Sequence, residues 1–271
     1  MQIRKKLWNL RHNLQIIWRY RNYGEILARI LRKRRVARVI LRNGIQIEVP
    51  ENHNFLLYMT DETFFKKIHT PPGLPIEAND VVVDIGANVG VVTLFAALNT
   101  QRTVHAFEPS PENCEFIKRN AAKSGLKNVI VHQVAVGGKT EKNTRLYLAD
   151  SVGHSLLTAE LTASSFPTDN YIDVPSVTLQ NIIDNTENGE IDYLKIDCEG
   201  CEGLIFMSTP VEYIKKVKKM VIEFHDTSSP LKHDAIQRLL EKAGFEVWLD
   251  WRPDENSPYG YLYAKRLSDT R

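Results

Sequence analysis

The stretch Val81-Val82-Val83-Asp84-Ile85-Gly86-Ala87-Asn88-Val89-Gly90 decides the fold. A run of β-branched apolar residues suits a strand buried on both faces, and it breaks into a glycine-bearing turn that opens a helical pattern. The next strand-like run, Thr103-Val104-His105-Ala106-Phe107-Glu108-Pro109, ends on an acid. Parallel pairing of the two strands puts the turn and Glu108 side by side at the carboxyl edge of a sheet. Backbone amides at the helix N-terminus suit a carboxylate or phosphate. The Glu108 carboxylate suits a ribose diol, because it accepts from two hydroxyls at once. An adenosine-bearing cofactor is expected.

The glycine spacing narrows the choice. A dinucleotide fingerprint requires glycines at 86, 88 and 91, where this chain has Gly86, Asn88 and Val91, with its second glycine at Gly90. The acid-x-Gly-x-x-x-Gly turn from Asp84 to Gly90 suits S-adenosylmethionine, which offers a carboxylate, an ammonium, a sulfonium and an adenosine but no phosphate. An NAD(P)-dependent oxidoreductase on the same strand–turn–helix unit stays open at this point, as does a buried strand with an ordinary tight turn.

Three further segments bear on this: Phe-Glu-Pro-Ser-Pro-Glu-Asn-Cys-Glu-Phe-Ile-Lys-Arg-Asn at 107–120, Asn-Val-Ile-Val-His-Gln-Val-Ala-Val-Gly at 128–137, and Tyr-Leu-Lys-Ile-Asp-Cys-Glu-Gly-Cys-Glu-Gly at 193–203. In this order and spacing the chain resembles the FkbM-type family of S-adenosylmethionine-dependent methyltransferases over residues 80–226, with a weaker continuation to 266. The resemblance implies O-methylation of a hydroxyl on a sugar, glycan or polyketide-like molecule. It implies that Asp84, Gly86, Ala87, Asn88 and Gly90 form the methionine-side loop. Glu108 would take the ribose, with Pro109 and Ala135 completing the cofactor set. Lys195, Asp197, Glu199 and Glu202 fall on the later signature strand and turn. Cys201 stands where the motif commonly has alanine.

An alcohol is a poor nucleophile, so a base or a metal must assist its deprotonation. Asp197, His225 and Lys195 are the candidate catalytic residues. Asp197 and His225 are expected on neighbouring strand tips facing the methyl group, with Glu223 and Glu199 behind them. Ser155, Glu199, Glu202 and Glu223 are the candidate acceptor-binding residues. Asp197, Glu199 and Glu223 are candidate ligands for Mg2+, since clustered carboxylates suit a hard cation. The plainer readings stand beside these: Lys195 as a buried ion-pair partner, and His225 as a hydrogen-bonded structural histidine. The Asn/Asp-Pro-Pro-aromatic motif of amine methyltransferases is replaced by Lys195-Ile196-Asp197-Cys198-Glu199-Gly200, which argues for a hydroxyl acceptor.

Strand and helix patterns alternate from residue 80 onward, which argues an α/β fold. Strands are expected near 81–86, 103–108, 129–134, 192–197, 218–225, 245–250 and 259–265. Helices are expected near 90–99, 111–124, 179–185, 201–207 and 231–243, the last capped by Asp226 or Ser228–Ser229. The resulting fold class is a Rossmann-like seven-stranded methyltransferase sheet with helices on both faces. Residues 80–271 form this domain, and 136–178 interrupt it as an acceptor loop. Residues 1–79 form an N-terminal basic helical arm, a hairpin at 39–49 turning on Asn43-Gly44, and a cap with a short helix near Asp61–His69. Gly24 is expected to divide the arm into two helical pieces, with apolar stripes Leu7, Leu10, Leu14, Ile17 and Ile26, Leu27, Ile30, Leu31.

The net charge of +2 conceals a segregation. Residues 1–42 carry 13 Lys or Arg against the single acid Glu25, which is +12, while the remainder carries 22 basic and 32 acidic residues, which is −10. A basic arm with interleaved aromatics suits an anionic membrane surface through residues 1–35, or packing on the domain or on a partner subunit. The acidic body argues against nucleic acid. A non-catalytic adaptor is the reading from a different class. Three cysteines make no disulfide framework, and Cys198-x-x-Cys201 reads as packing rather than metal or redox chemistry. No apolar run is long enough for a membrane span, so a cytoplasmic protein is expected, with peripheral attachment to the inner membrane face through the arm. The partner expected is a small-molecule or glycan acceptor, with an oligomer left open.

Overall fold

The computed structural model describes residues 14–51, 53–147, 171–226, 229–251 and 257–267. Residues 14–19 are helical, and α1 (Tyr23–Leu31) follows a tight turn. The break falls at Tyr20 rather than at Gly24. Tyr20 bridges Leu41, and the Arg21 N–H donates to the Ile40 carbonyl at 2.6 Å, so contact with the hairpin pulls the chain out of the helix. Gly24 sits within the first turn of α1, with open space where a Cβ would stand. The buried face of the first piece is accordingly Ile16 and Tyr20, while Leu14 and Trp18 face solvent.

The hairpin forms as read: β1 (Arg38–Ile40) pairs antiparallel with β2 (Gln46–Glu48), and Gly44 takes φ +97° in the turn. Its apolar side packs with Ile16, Tyr20 and Ile26 against Val89, Val91 and Leu94, behind the glycine turn. The next helix begins earlier than expected: α2 (Leu56–Thr60) runs into a π-helical turn over Asp61–Phe65. The Lys66 N–H closes that turn on the Asp61 carbonyl at 2.8 Å, and Lys67 at φ +54° ends it.

The catalytic-domain strands are β3 (Val82–Ile85), β4 (Val104–Phe107), β5 (Val129–His132), β6 (Ala135–Val136), β7 (Glu141–Tyr147), β8 (Tyr171–Val177), β9 (Ile191–Ile196), β10 (Val217–His225), β11 (Phe245–Trp251) and β12 (Tyr259–Arg266). Seven of them form one sheet in the order β11-β12-β10-β9-β3-β4-β5, parallel except for β12. The helices are α3 (Val91–Asn99), α4 (Pro111–Lys123), α5 (Leu179–Asp184), α6 (Glu202–Ser208), α7 (Val211–Ile214) and α8 (His233–Lys242). All but α7 were expected from the sequence. Asp226 Oδ1 accepts from the His233 N–H at 2.9 Å at the start of α8, whereas Ser229 accepts from the Gly203 N–H and Ser228 lies outside the described residues. The 136–178 interruption supplies a separate three-stranded sheet, β6-β8-β7. Ser155 lies outside the described residues.

Two-residue alternation sorts the sheet into faces. Val83, Ile85, Leu194, Ile196 and Ile222 point into a core completed by α5, α6 and α8. Val82, Tyr193, Val221, Tyr261 and Tyr263 point the other way, against α3 and the cap residues Ile68, Leu74 and Ile76. Asp84, Lys195 and Glu223 share that second face by the same period. Strand order reverses between β3 and β9, which is where open parallel sheets bind ligands.

Candidate active site at the carboxyl edge of the sheet

The turn after β3 is held by three residues at positive φ: Gly86 (+73°), Asn88 (+51°) and Gly90 (+90°). Every N–H from 86 to 90 is engaged within the fold. Gly86 and Ala87 donate to the Phe107 carbonyl at 3.0 and 3.1 Å, and Gly90 donates to the Ala87 carbonyl at 2.8 Å. Asn88 donates to Glu108 Oε2 at 2.8 Å, and Val89 to Asn88 Oδ1 at 2.8 Å. These N–H groups fix the shape of the loop. Gly86 has a second role that the sequence did not show. A Cβ there would overlap the Asp197 carbonyl oxygen, so glycine lets the ends of β3 and β9 close on each other.

Glu108 is 4% exposed. Its carboxylate accepts from the Asn88 N–H, from the Ser110 N–H at 2.9 Å and from Asn113 Nδ2 at 3.3 Å. Burial pushes its pKa up to about 7 against the pull of those donors. Ala87 packs its methyl on Ala106 and Ile117, and Ala135 packs on Leu146 and Val174. Pro109 is half-buried between Glu108 and the Ser110 cap of α4.

Asp84 is fully buried, accepting from Thr93 Oγ1 at 2.6 Å and facing Lys195 Nζ at 3.1 Å. Lys195 also donates to the Gly86 carbonyl at 2.8 Å and lies 3.6 Å from Asp197 Oδ2. Burial pushes the ammonium pKa down, but Asp84 and Asp197 outweigh it and the net shift is upward. Lys195 is therefore a cation clamping the loop, which favours the ion-pair reading over a catalytic one.

At the ends of β9 and β10 the structure brings Asp197, Glu199 and His225 together, with one ligand-type atom of each within 4.8 Å of the others. His225 Nε2 lies 3.5 Å from Glu199 Oε2, and His225 Nδ1 lies 3.1 Å from Glu202 Oε1. Glu202 has no exposure; the same oxygen accepts from the N–H groups of Cys198 and Gly200 at 3.1 and 3.2 Å. Two expectations change. Glu202 cannot touch an acceptor, since it is sealed under the 198–200 turn and orients His225. Glu199 stands in front of the imidazole and Glu202 behind it. Burial pushes the His225 pKa down, yet Glu202, Glu199 and Asp197 raise it overall.

Glu223 sits outside the three-residue cation cluster among the described residues. Its Oε2 accepts from Tyr261 Oη at 2.9 Å, and burial, with Asp197 nearby, lifts its pKa to about 8. Thr93, Asn113 and Tyr261 were missed in the sequence reading. Tyr261 had a signal, the i, i+2 run Tyr259, Tyr261, Tyr263 on one strand face.

A model of the methyltransferase FkbM domain matches residues 84–247, from the buried Asp84 through the His225 cluster into β11. The chain belongs to the FkbM methyltransferase family. As an FkbM-family protein it is an S-adenosylmethionine-dependent methyltransferase, which retires the nicotinamide and adaptor readings. It is 25% identical to the 31-O-demethyl-FK506 methyltransferase FkbM of Streptomyces tacrolimicus, over 72% of this chain and 84% of that protein. It is also 25% identical to methyltransferase sdnD of Sordaria araneosa, over 74% of this chain and 87% of that protein. The crystal structure of methyltransferase FkbM from Methylobacillus flagellatus aligns with a TM-score of 0.47 at 17% identity, over 76% of this chain and 47% of that one. In this FkbM-family chain no helix among the described residues is long and apolar enough to cross a membrane.

Proposed function

We propose that the enzyme methylates a hydroxyl of a sugar, glycan or lipid-linked saccharide. The supporting observation is the meeting of Asp197, Glu199 and His225 at the sheet edge beside the 86–90 loop. A hydroxyl acceptor needs a proton acceptor and partners for its neighbouring hydroxyls, and carboxylates supply both. Bound S-adenosylmethionine supplies an electrophilic methyl group. Glu108 holds the ribose, and the Asp84–Lys195 pair fixes the loop that flanks the methionine end.

The roles at the cluster divide by charge. The raised pKa of His225 keeps its imidazole protonated near neutral pH, clamped between Glu202 and Glu199. Asp197, whose side chain is 26% exposed, is then the proton acceptor. Glu199 and Glu223 bind acceptor hydroxyls. The same three-residue cluster favours a second reading, in which a divalent cation assists. One imidazole with two carboxylates suits Mn2+ better than Mg2+, which prefers an all-oxygen shell.

Methyl transfer from labelled S-adenosylmethionine to a glycan and lipid-linked saccharide panel tests the proposal, with Asp197→Asn as the control. The base reading requires turnover to fall about 100-fold or more while S-adenosylhomocysteine binding persists. Unchanged turnover removes Asp197 from the chemistry. Loss of activity with EDTA, restored by Mn2+, selects the cation reading.

A further inference from the structure

The N-terminal arm packs one side on its own domain and leaves several large apolar side chains facing solvent. In α1 only Ile26 is fully buried, while Tyr23, Ile30 and Leu31, at i, i+7 and i+8, are exposed, Leu31 by 84%. Helical periodicity puts Tyr23 and Ile30 on the same side as Ile26, at its partly exposed margin, with Leu31 standing well off that side. The preceding helical piece exposes Leu14 by 47% and Trp18 by 78%, one turn apart. Both pieces are anchored by Ile16, Tyr20 and Ile26, which pack with the hairpin and with Val89, Val91 and Leu94. The exposed side is therefore fixed to the catalytic domain.

Charge distinguishes the occupant. The +12 of residues 1–42 set against −10 for the remainder concentrates cations on this arm. Arg32, Lys33, Arg34 and Arg35 are all exposed directly beyond Leu31. A pocket of about 220 Å³ opens beside Trp18, lined by Arg19, Leu41, Arg42, Phe64 and Phe65. Arg19 stacks over Phe65 at 4.3 Å from the ring centre. Aromatic and aliphatic side chains interleaved with arginines suit the boundary between headgroup and acyl chain, whereas a nucleic-acid surface has no use for an exposed leucine.

We propose that this arm docks the enzyme on an anionic lipid bilayer, with Trp18 and Leu31 inserted at the interface and the basic run at 32–35 on the headgroups. The inference is independent of the acceptor assignment. The full-length protein is sedimented with phosphatidylglycerol–phosphatidylcholine vesicles and with phosphatidylcholine vesicles, at low and high salt. Binding should favour the anionic vesicles and weaken with salt. Trp18→Glu and Leu31→Glu should each lower partitioning about tenfold or more, with S-adenosylhomocysteine affinity unchanged as the folding control. Because both side chains are largely exposed, Leu31→Ala provides a milder variant expected to fall between. Equal binding to neutral vesicles, or unaltered pelleting of all three variants, overturns the proposal. So does a vesicle-free dimer that Leu31→Glu dissociates, because a second copy would then cover these side chains.

Discussion

His225 Nδ1 lies 3.1 Å from Oε1 of Glu202, a carboxylate sealed from solvent that also holds the backbone of the 198–200 turn. In the proposed chemistry Glu202 acts through His225. Glu202→Gln keeps the volume but removes the charge, so the imidazole loses the partner that fixes its orientation. Turnover should fall about 10- to 100-fold with S-adenosylhomocysteine affinity intact. Steady-state kinetics alongside calorimetry reads both, and a parallel loss of cofactor binding would reassign Glu202 to loop stability alone.

Lys195→Met tests the clamp. It leaves the fully buried Asp84 without its ammonium partner, and breaking a buried pair from one side costs about 3–5 kcal/mol. Thermal unfolding should show a large drop in Tm. The double variant Asp84→Leu with Lys195→Met should recover part of that loss. Near-parental stability of Lys195→Met alone would contradict the ion-pair role.

Glu108 makes stability and cofactor affinity run in opposite directions with pH. Its pKa rises from 4.5 to about 7 in the folded protein, so its contribution is greatest below the unfolded value and is lost as pH rises through the folded one. The shift corresponds to a loss on the order of 3 kcal/mol for the cofactor-free protein. With Glu108 in its proposed ribose role, the ribose hydroxyls donate to the ionised form, so S-adenosylhomocysteine should bind more tightly at about pH 8 than at about pH 6. Glu108→Gln should flatten both trends. Calorimetry and melting curves across that range check them, and parallel trends in the parent and Glu108→Gln proteins would remove Glu108 as the source.

Gly86→Ala places a methyl group against the Asp197 carbonyl at a φ that L-residues avoid. A destabilisation of about 2 kcal/mol or more is expected, together with loss of S-adenosylhomocysteine binding as β3 and β9 are forced apart. Gly24→Ala, with open space around it, should be neutral or slightly stabilising. Equal melting temperatures for the two variants would refute the close-approach argument.

The sheet was legible because each strand announces itself locally, as the fully buried Val82–Ile85 does. The acidic neighbourhood of Asp197 and His225 was legible too, since strand order alone juxtaposes those ends. What escaped depends on contacts distant in sequence. The reason for Gly86 is a carbonyl at residue 197, and the end of the first arm helix is set by Leu41 rather than by Gly24. Glu202 and Glu199 are indistinguishable as letters. Only the fold shows that one is interred under a turn and the other is partly exposed beside His225. The inward packing of Ala135 could not be read from a strand of two residues whose partner strand begins at Tyr171.

Asn120 deserves its place in the chain's history as well as in its structure. From α4 it accepts from the Glu48 N–H at 2.9 Å and donates to the Glu48 and Val89 carbonyls, across 72 residues in the first two contacts and 31 in the third. During synthesis the hairpin leaves the ribosome early, but the helix residue that secures its second strand is translated 72 residues later. Contacts this distant form late. The second strand of the hairpin is consequently secured only once the helix that carries Asn120 has formed.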